Sequence, residues 1–139
     1  MGNFTDAEVD YLQSQKLARI ATVGPDEQPH VVPVTFVYNP DEDAIDVGGV
    51  AFGDGKKWRD AQRNPRVTFL LDESGGGTAK AIEVRGEAEL HETGGDAINP
   101  KFPNFAPEFF RIRPTRIVSW GVEDDEDGSD FSTNARDVA

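Results

Sequence analysis

Lys56, Lys57 and Arg59 sit together at the start of a short helical stretch, GKKWRDAQRN, which Pro65 ends before a strand begins. A helix N-terminus already carries partial positive charge and free N–H groups, so a basic first turn is unfavourable unless an anion offsets it. The chemistry this spacing invites is capture of a phosphate or similar anion. The chain holds 14 Lys and Arg against 26 Asp and Glu, a formal charge of −12, and in that background the cationic island stands out. The bland alternative is a solvated basic turn, and Lys56 and Arg59 are equally open to pairing with neighbouring acids.

Other chemistry is thinly represented. With no cysteine, thiol catalysis, thiolate metal sites and redox pairs are excluded. The two histidines, His30 and His91, have no partner motif for a Ser-His-Asp triad, and no paired carboxylates can be argued from spacing. His30 closes a hairpin and His91 follows a strand, both ordinary places for a histidine. Trp58 and Trp120 read as core or interface residues. The acidic run Asp124 to Asp127 lacks metal-ligand spacing and reads as solvated, so no metal and no catalytic side chain are expected. The acidic balance argues against a nucleic-acid binder. Neither a signal-peptide pattern nor a spanning apolar run is visible, so no membrane association and a cytoplasmic protein are expected.

The elements that must position the basic turn are legible from local signals. Thr5 is an N-cap candidate with Glu8 three residues on, and Phe4 and Val9 stand where a hydrophobic staple would close, which predicts a helix over about 5–15. LARIATVG and PHVVPVTFVYN form a predicted hairpin about the turn PDEQ, and AIDVGGV is a third strand ending in the loop FGDG. After the short helix come RVTFLLDE, a glycine loop SGGGT, and AIEVRGEAEL. In that last strand Ile82, Val84, Ala88 and Leu90 alternate with Glu83, Arg85, Glu87 and Glu89, while Gly86 interrupts the apolar side. TGGDAINPKFPNFAPE reads as an irregular crossing, and FRIRPTRIVSWGVE as the closing strand.

Six strands and two small helices predict a mainly β protein, a six-stranded antiparallel split β-barrel, with an open sandwich as the rival. A single domain over 1–123 and an acidic, solvated tail over 124–139 are expected. The second strand is apolar on both faces, so neither should meet bulk water: one side can fill the barrel, and the other can meet a partner subunit or a planar ligand. Pro33 within it cannot donate to a ladder, which places it at an edge or against a ligand.

ARIATVG, PHVVPVTFVYNP, GKKWRDAQRNPRVTFLLD, VRGEAEL and RPTRIVSWG, in that order, resemble the pyridoxamine 5′-phosphate oxidase-like split barrels, the FMN-binding-protein-like fold. Within them the chain is most similar to small flavin- or deazaflavin (F420)-dependent oxidoreductases. The resemblance runs from about Phe4 to Glu123. It implies a homodimer with cofactor sites at the subunit interface and hydride transfer from F420, or alternatively FMN, to a small conjugated substrate. It also implies a phosphate near Lys57 flanked by Lys56 and Arg59. The ring would lie along His30, Pro33, Val34 and Thr35, facing the third strand at Gly49 and Val50, with Trp120 as a wall. The chain departs from relatives at Thr78, Ala79 and Ala81, where they place aromatics. Such a cofactor carries its own chemistry, which suits the absence of an obvious acid or base. A non-catalytic flavin or F420 carrier of the same fold is the rival from another class.

Overall fold

The computed structural model describes residues 2–75, 78–102, 104–123 and 133–138, and no side chain at 74, 75 or 78. Helix α1 (Asp6–Ser14) starts with the expected capping box: Glu8 N donates to Thr5 Oγ1 over 3.1 Å and Thr5 N donates to Glu8 Oε1 over 2.9 Å. Phe4 lies in the core with Val9 packed on the same cluster. The strands are β1 (Leu17–Val23), β2 (Pro29–Asn39), β3 (Ala44–Gly48), β4 (Arg66–Gly75), β5 (Thr78–His91), β6 (Phe109–Trp120) and β7 (Thr133–Asp137), with α2 (Lys56–Arg63) between β3 and β4.

All pairings are antiparallel, in the order β3-β2-β1-β4-β5-β6-β7, and β3 also pairs with β6 through Ile45–Ile112 and Val47–Phe110. That last pairing closes six strands into the expected barrel. Its interior is built from the inward half of each alternation. Ile20, Val47, Phe69, Ile82, Val84, Phe110, Ile112 and Ile117 are fully buried, and Phe36 meets Phe69 edge-on at 4.9 Å. Gly86 sits at a register shift between β5 and β6, where a Cβ would stand 2.2 Å from Arg113 O. Only glycine fits there, and the bend that its place on the buried side suggested is a bulge.

Three local expectations are corrected. Of the acidic segment expected to be a solvated tail, residues 133–137 instead form β7 on the later half of β6, pairing from Trp120–Thr133 to Arg116–Asp137. The reason is that β6 outlasts β3 and leaves a ladder edge open, which β7 fills; residues 124–132 of that segment lie outside the described residues. Strand β3 ends at Gly48, so Gly49 and Val50 fall in the turn beyond it, where Ala106 N donates to Gly49 O over 2.9 Å and Ala51 takes a left-handed φ of 55°. Finally, Gly75 and Thr78 of the expected glycine loop pair with each other as the last rung of β4 and β5.

Strand β2 has one face inside the barrel and one outside it. Val34 and Phe36 point into the barrel, but Val31 is 65% exposed and Val37 38%, and Leu17 beside them on β1 is 66% exposed. Within one chain, the outward apolar face of β1 and β2 meets water. Among the described residues, no helix is long and apolar enough to cross a membrane.

Candidate functional site

The start of α2 differs from that of α1 in every respect that bears on an anion. Its N-cap is Gly55, which offers no side-chain oxygen to the first-turn N–H groups, and no acidic residue lies in that turn. Lys57 Nζ lies 5.0 Å from the centroid of the Phe52 ring and, among the described residues, has no hydrogen-bond or ion-pair partner. It is half-buried, and desolvation pulls its pKa below the ordinary lysine value. An unpaired ammonium over an aromatic ring, at an uncapped helix start, suits an anionic group.

Its two basic neighbours are engaged. Lys56 Nζ donates to Asp60 Oδ1 over 3.1 Å, and Arg63 joins the same oxygen over 3.1 Å. Asp60 is 1% exposed, and its other oxygen accepts from Thr22 Oγ1 over 3.0 Å. Burial alone would raise the Asp60 pKa, but the Lys56 and Thr22 hydrogen bonds and the Lys56 and Arg63 charges hold it below the ordinary aspartate range. This staple ties α2 to β1 and occupies the Lys56 ammonium. Arg59 Nη1 donates to Asp54 O over 2.9 Å on the exposed side of the helix.

Strand β2 runs from this helix towards the end of β3. His30 pairs with Thr22, the anchor of Asp60, and Thr35 pairs with Gly48. Cross-strand partners share a face, so His30 and Val34 go inward with Thr22 and Ala18, while Pro33 and Thr35 go outward with Arg19 and Leu17. Val34, 6% exposed, is a core residue that offers only its backbone to the outer side. Pro33 lies past Thr35–Gly48, the last β2–β3 pair. Phe36 N donates to Lys16 O on the β1 side, so by alternation the Pro33 nitrogen faces the free edge, where no donor is needed.

One chain brings together the α2 start, the free edge of β2 and, at its far end, the turn holding Gly49 and Val50. It does not bring in Trp120. That residue ends β6 between Ala81 and Thr133, eight residues past the contact with β3 at Ile112, which is roughly 26 Å along a strand. Trp58, 8% exposed and stacked on Phe110 at 5.7 Å, is core. His91 stacks on Phe109 at 4.7 Å and pairs with Glu89 over 2.6 Å. Among the described residues, no three His, Asp or Glu side chains converge to hold a metal.

Two grooves border this region. One of about 600 Å³ between β1, β4 and β5, lined by Ala21, Thr22, Pro29, Arg66 and Arg85, includes none of the cofactor-binding candidates but reaches Thr22, the anchor of Asp60. A second, of about 410 Å³, begins at Thr35 and runs between the end of α1 and residues 98–101. Sequence reading missed Thr22 and Asp60. The Lys56–Asp60 spacing of four residues was the available signal that Lys56 has an intrahelical acid.

The family described as pyridoxamine 5′-phosphate oxidase matches residues 4–121. A Streptomyces rimosus protein named 5a,11a-dehydrotetracycline/5a,11a-dehydrooxytetracycline reductase is 36% identical over 140 residues, covering 97% of this chain and 93% of the relative. An FAD-binding protein of Mycobacterium smegmatis superposes with a TM-score of 0.61 at 24% identity, over 86% of this chain and 96% of that one. An FAD-binding protein of Mesorhizobium loti does so with a TM-score of 0.63 at 23% identity, over 84% and 93%. At such identities the two structures speak to the fold alone. With residues 4–121 matched and the barrel closed as described, this chain belongs to the pyridoxamine 5′-phosphate oxidase family.

Proposed function

We propose that this protein is a homodimeric, cytoplasmic oxidoreductase that binds coenzyme F420 at the start of α2 and reduces a conjugated double bond of a small unsaturated molecule. The observation that carries the reading is Lys57: a half-buried ammonium with no acid beside it, over Phe52, at a helix start with no side-chain cap. The 36% identity to a named reductase over nearly the whole chain supports the reaction class. The cofactor would supply a hydride to one carbon of the double bond, leaving the reduced ring oxidised, while the neighbouring carbon takes a proton from water or from the substrate.

Each part of the chain has a task in this reading. Lys57 and the first-turn N–H groups of α2 hold the phosphate, with Arg59 as an outer cation. Lys56 serves indirectly: through Asp60 and Thr22 it keeps the helix start fixed against β1. The backbone of His30 to Thr35 at the free edge of β2, and the turn at Gly49 and Val50, line the ring. The exposed Leu17, Val31 and Val37 form the face on which a second copy packs, and Trp120 reaches a site only from that second copy.

A second reading, FMN in place of F420, is favoured by one observation. With Lys56 bound to Asp60, the basic surface shrinks towards a single free ammonium, which suits a compact phosphate more than a long anionic tail. Parallel fluorescence titrations with F420 and FMN at two salt concentrations test the proposal. Preferential, salt-sensitive F420 binding followed by turnover of enones supports it. Preferential FMN binding moves the protein to the second reading, tight binding without turnover makes it a carrier, and binding of neither removes the function.

A further inference from the structure

We infer that the groove between the end of α1 and residues 98–101 binds the substrate, and that the substrate is a flat, fused-ring molecule carrying an acidic enol or enolate. This rests on the oxidoreductase reading and adds to it a place and a chemical class. The groove holds about 410 Å³, within the range of small-molecule sites. Leu12, Phe36, Tyr38, Ile98 and Pro100 give it apolar walls. Lys16 and Lys101 stand on its rim, both exposed. Among the described residues, neither ammonium has a hydrogen-bond or ion-pair partner, in a chain of charge −12.

Two features join this groove to the reaction. Thr35, on the β2 segment assigned to the cofactor, is also one of its lining residues. Ile98, on the opposite wall, packs over Gly48 so closely that a Cβ there would stand 2.7 Å from its Cδ1. The wall therefore rests on the end of β3 and adjoins the turn at Gly49. Apolar walls with two unpartnered cations select a ligand that is mostly ring surface with a localised negative charge. An enolised 1,3-dicarbonyl on a polycyclic frame fits that description, and the named tetracycline-type relative supports it. A neutral hydrocarbon would leave both cations unused, and a highly charged metabolite would be poorly served by the walls.

The test titrates the purified chain with tetracycline, a fluorescent fused-ring enol used here only as a probe. It compares wild type with the Lys16→Gln/Lys101→Gln double variant and with Lys57→Met, and repeats the F420 and FMN titrations on each. Both groove lysines are exposed, so their replacement leaves the barrel intact. The double variant should bind the probe about tenfold more weakly and lose most of the salt dependence, while its F420 and FMN affinities stay within about twofold of wild type. Lys57→Met should weaken the cofactor and leave the probe unchanged. If the probe fails to saturate, or binds the double variant as tightly as wild type, the groove assignment is overturned whatever the cofactors do. If neither cofactor binds wild type but probe binding still depends on Lys16 and Lys101, the cofactor reading fails and the groove assignment stands.

Discussion

Glu8 Oε1 lies 2.6 Å from Arg136 Nη2, so a carboxylate of the first helix is joined to a guanidinium of the last strand across 128 residues of chain. The second oxygen of Glu8 accepts from Ser119 Oγ over 2.5 Å and from Arg136 Nη1 over 3.1 Å, and Arg136 also donates to Asn3 O over 2.6 Å. Glu8 is fully buried, yet it serves at once as a helix cap and as the anchor of β7.

Arg136→Met would leave that carboxylate buried without its cation. Urea unfolding should show a loss of about 3–5 kcal/mol. The double variant Glu8→Gln/Arg136→Met should recover part of it, because the stranded charge is gone. A loss under about 1 kcal/mol for the single variant would mean that β7 contributes little to the fold.

Acid should act through the same group. Burial by itself would raise the Glu8 pKa, but hydrogen bonds from Arg136, Ser119 and Thr5 outweigh it and hold the carboxyl below its ordinary 4.5. A folded value below the unfolded one means that the stabilisation is complete above about 4.5 and is lost as pH falls through the folded value. Asp60, also held low, adds in the same direction. Stability measured from pH 7 to pH 3 should therefore fall more steeply in wild type than in Glu8→Gln; parallel curves would refute this.

Lys57→Met should weaken F420 or FMN binding by about 1–3 kcal/mol, the scale of a lost charge-assisted hydrogen bond. Lys56→Met should cost less than a third of that, since its ammonium serves Asp60. Burial pulls the Lys57 pKa below 10.5. Only the protonated form attracts the phosphate, so wild-type affinity should decline with rising pH before an ordinary lysine would titrate. Lys57→Arg should hold its affinity over the same range. Equal effects of the Lys56 and Lys57 variants would place both at the ligand.

Gly86→Ala should destabilise the barrel by about 1–3 kcal/mol, because the new methyl meets backbone, Arg113 O at 2.2 Å and Pro114 Cα at 3.1 Å. Gly24→Ala is the comparison: its methyl meets two side-chain ends, Lys56 Nζ and Asp26 Oδ1, at 3.3 Å, and backbone only at an ordinary 3.6 Å from Gln28 O. Thermal melts that rank the two the other way would contradict the bulge as the reason for glycine at 86.

Val31→Asp puts a charge on the outward face of β2, at a position 65% exposed in one chain. If that face joins two copies, sedimentation should shift from dimer to monomer with the barrel's circular dichroism unchanged. An unaltered sedimentation profile would send the dimer interface elsewhere.

Local physics made much of this protein readable from residues alone. The Thr5–Glu8 box, the period-two alternation of β5 and the Asn64–Pro65 stop after α2 each depend on neighbours a few positions apart, and each appears in the structure. The basic start of α2 was visible for the same reason. What the sequence could not determine were partners set by the closed barrel. Lys56 and Lys57 are identical and adjacent in sequence, yet one faces a buried acid held by Thr22 and the other lies over Phe52. Arg136 reads as part of a solvated acidic segment until β6 outruns β3 and offers an edge, with Glu8 and Ser119 behind it. Hydrophobic alternation decides which face of a strand is buried, but which charge meets which depends on contacts that exist only once the sheet has closed.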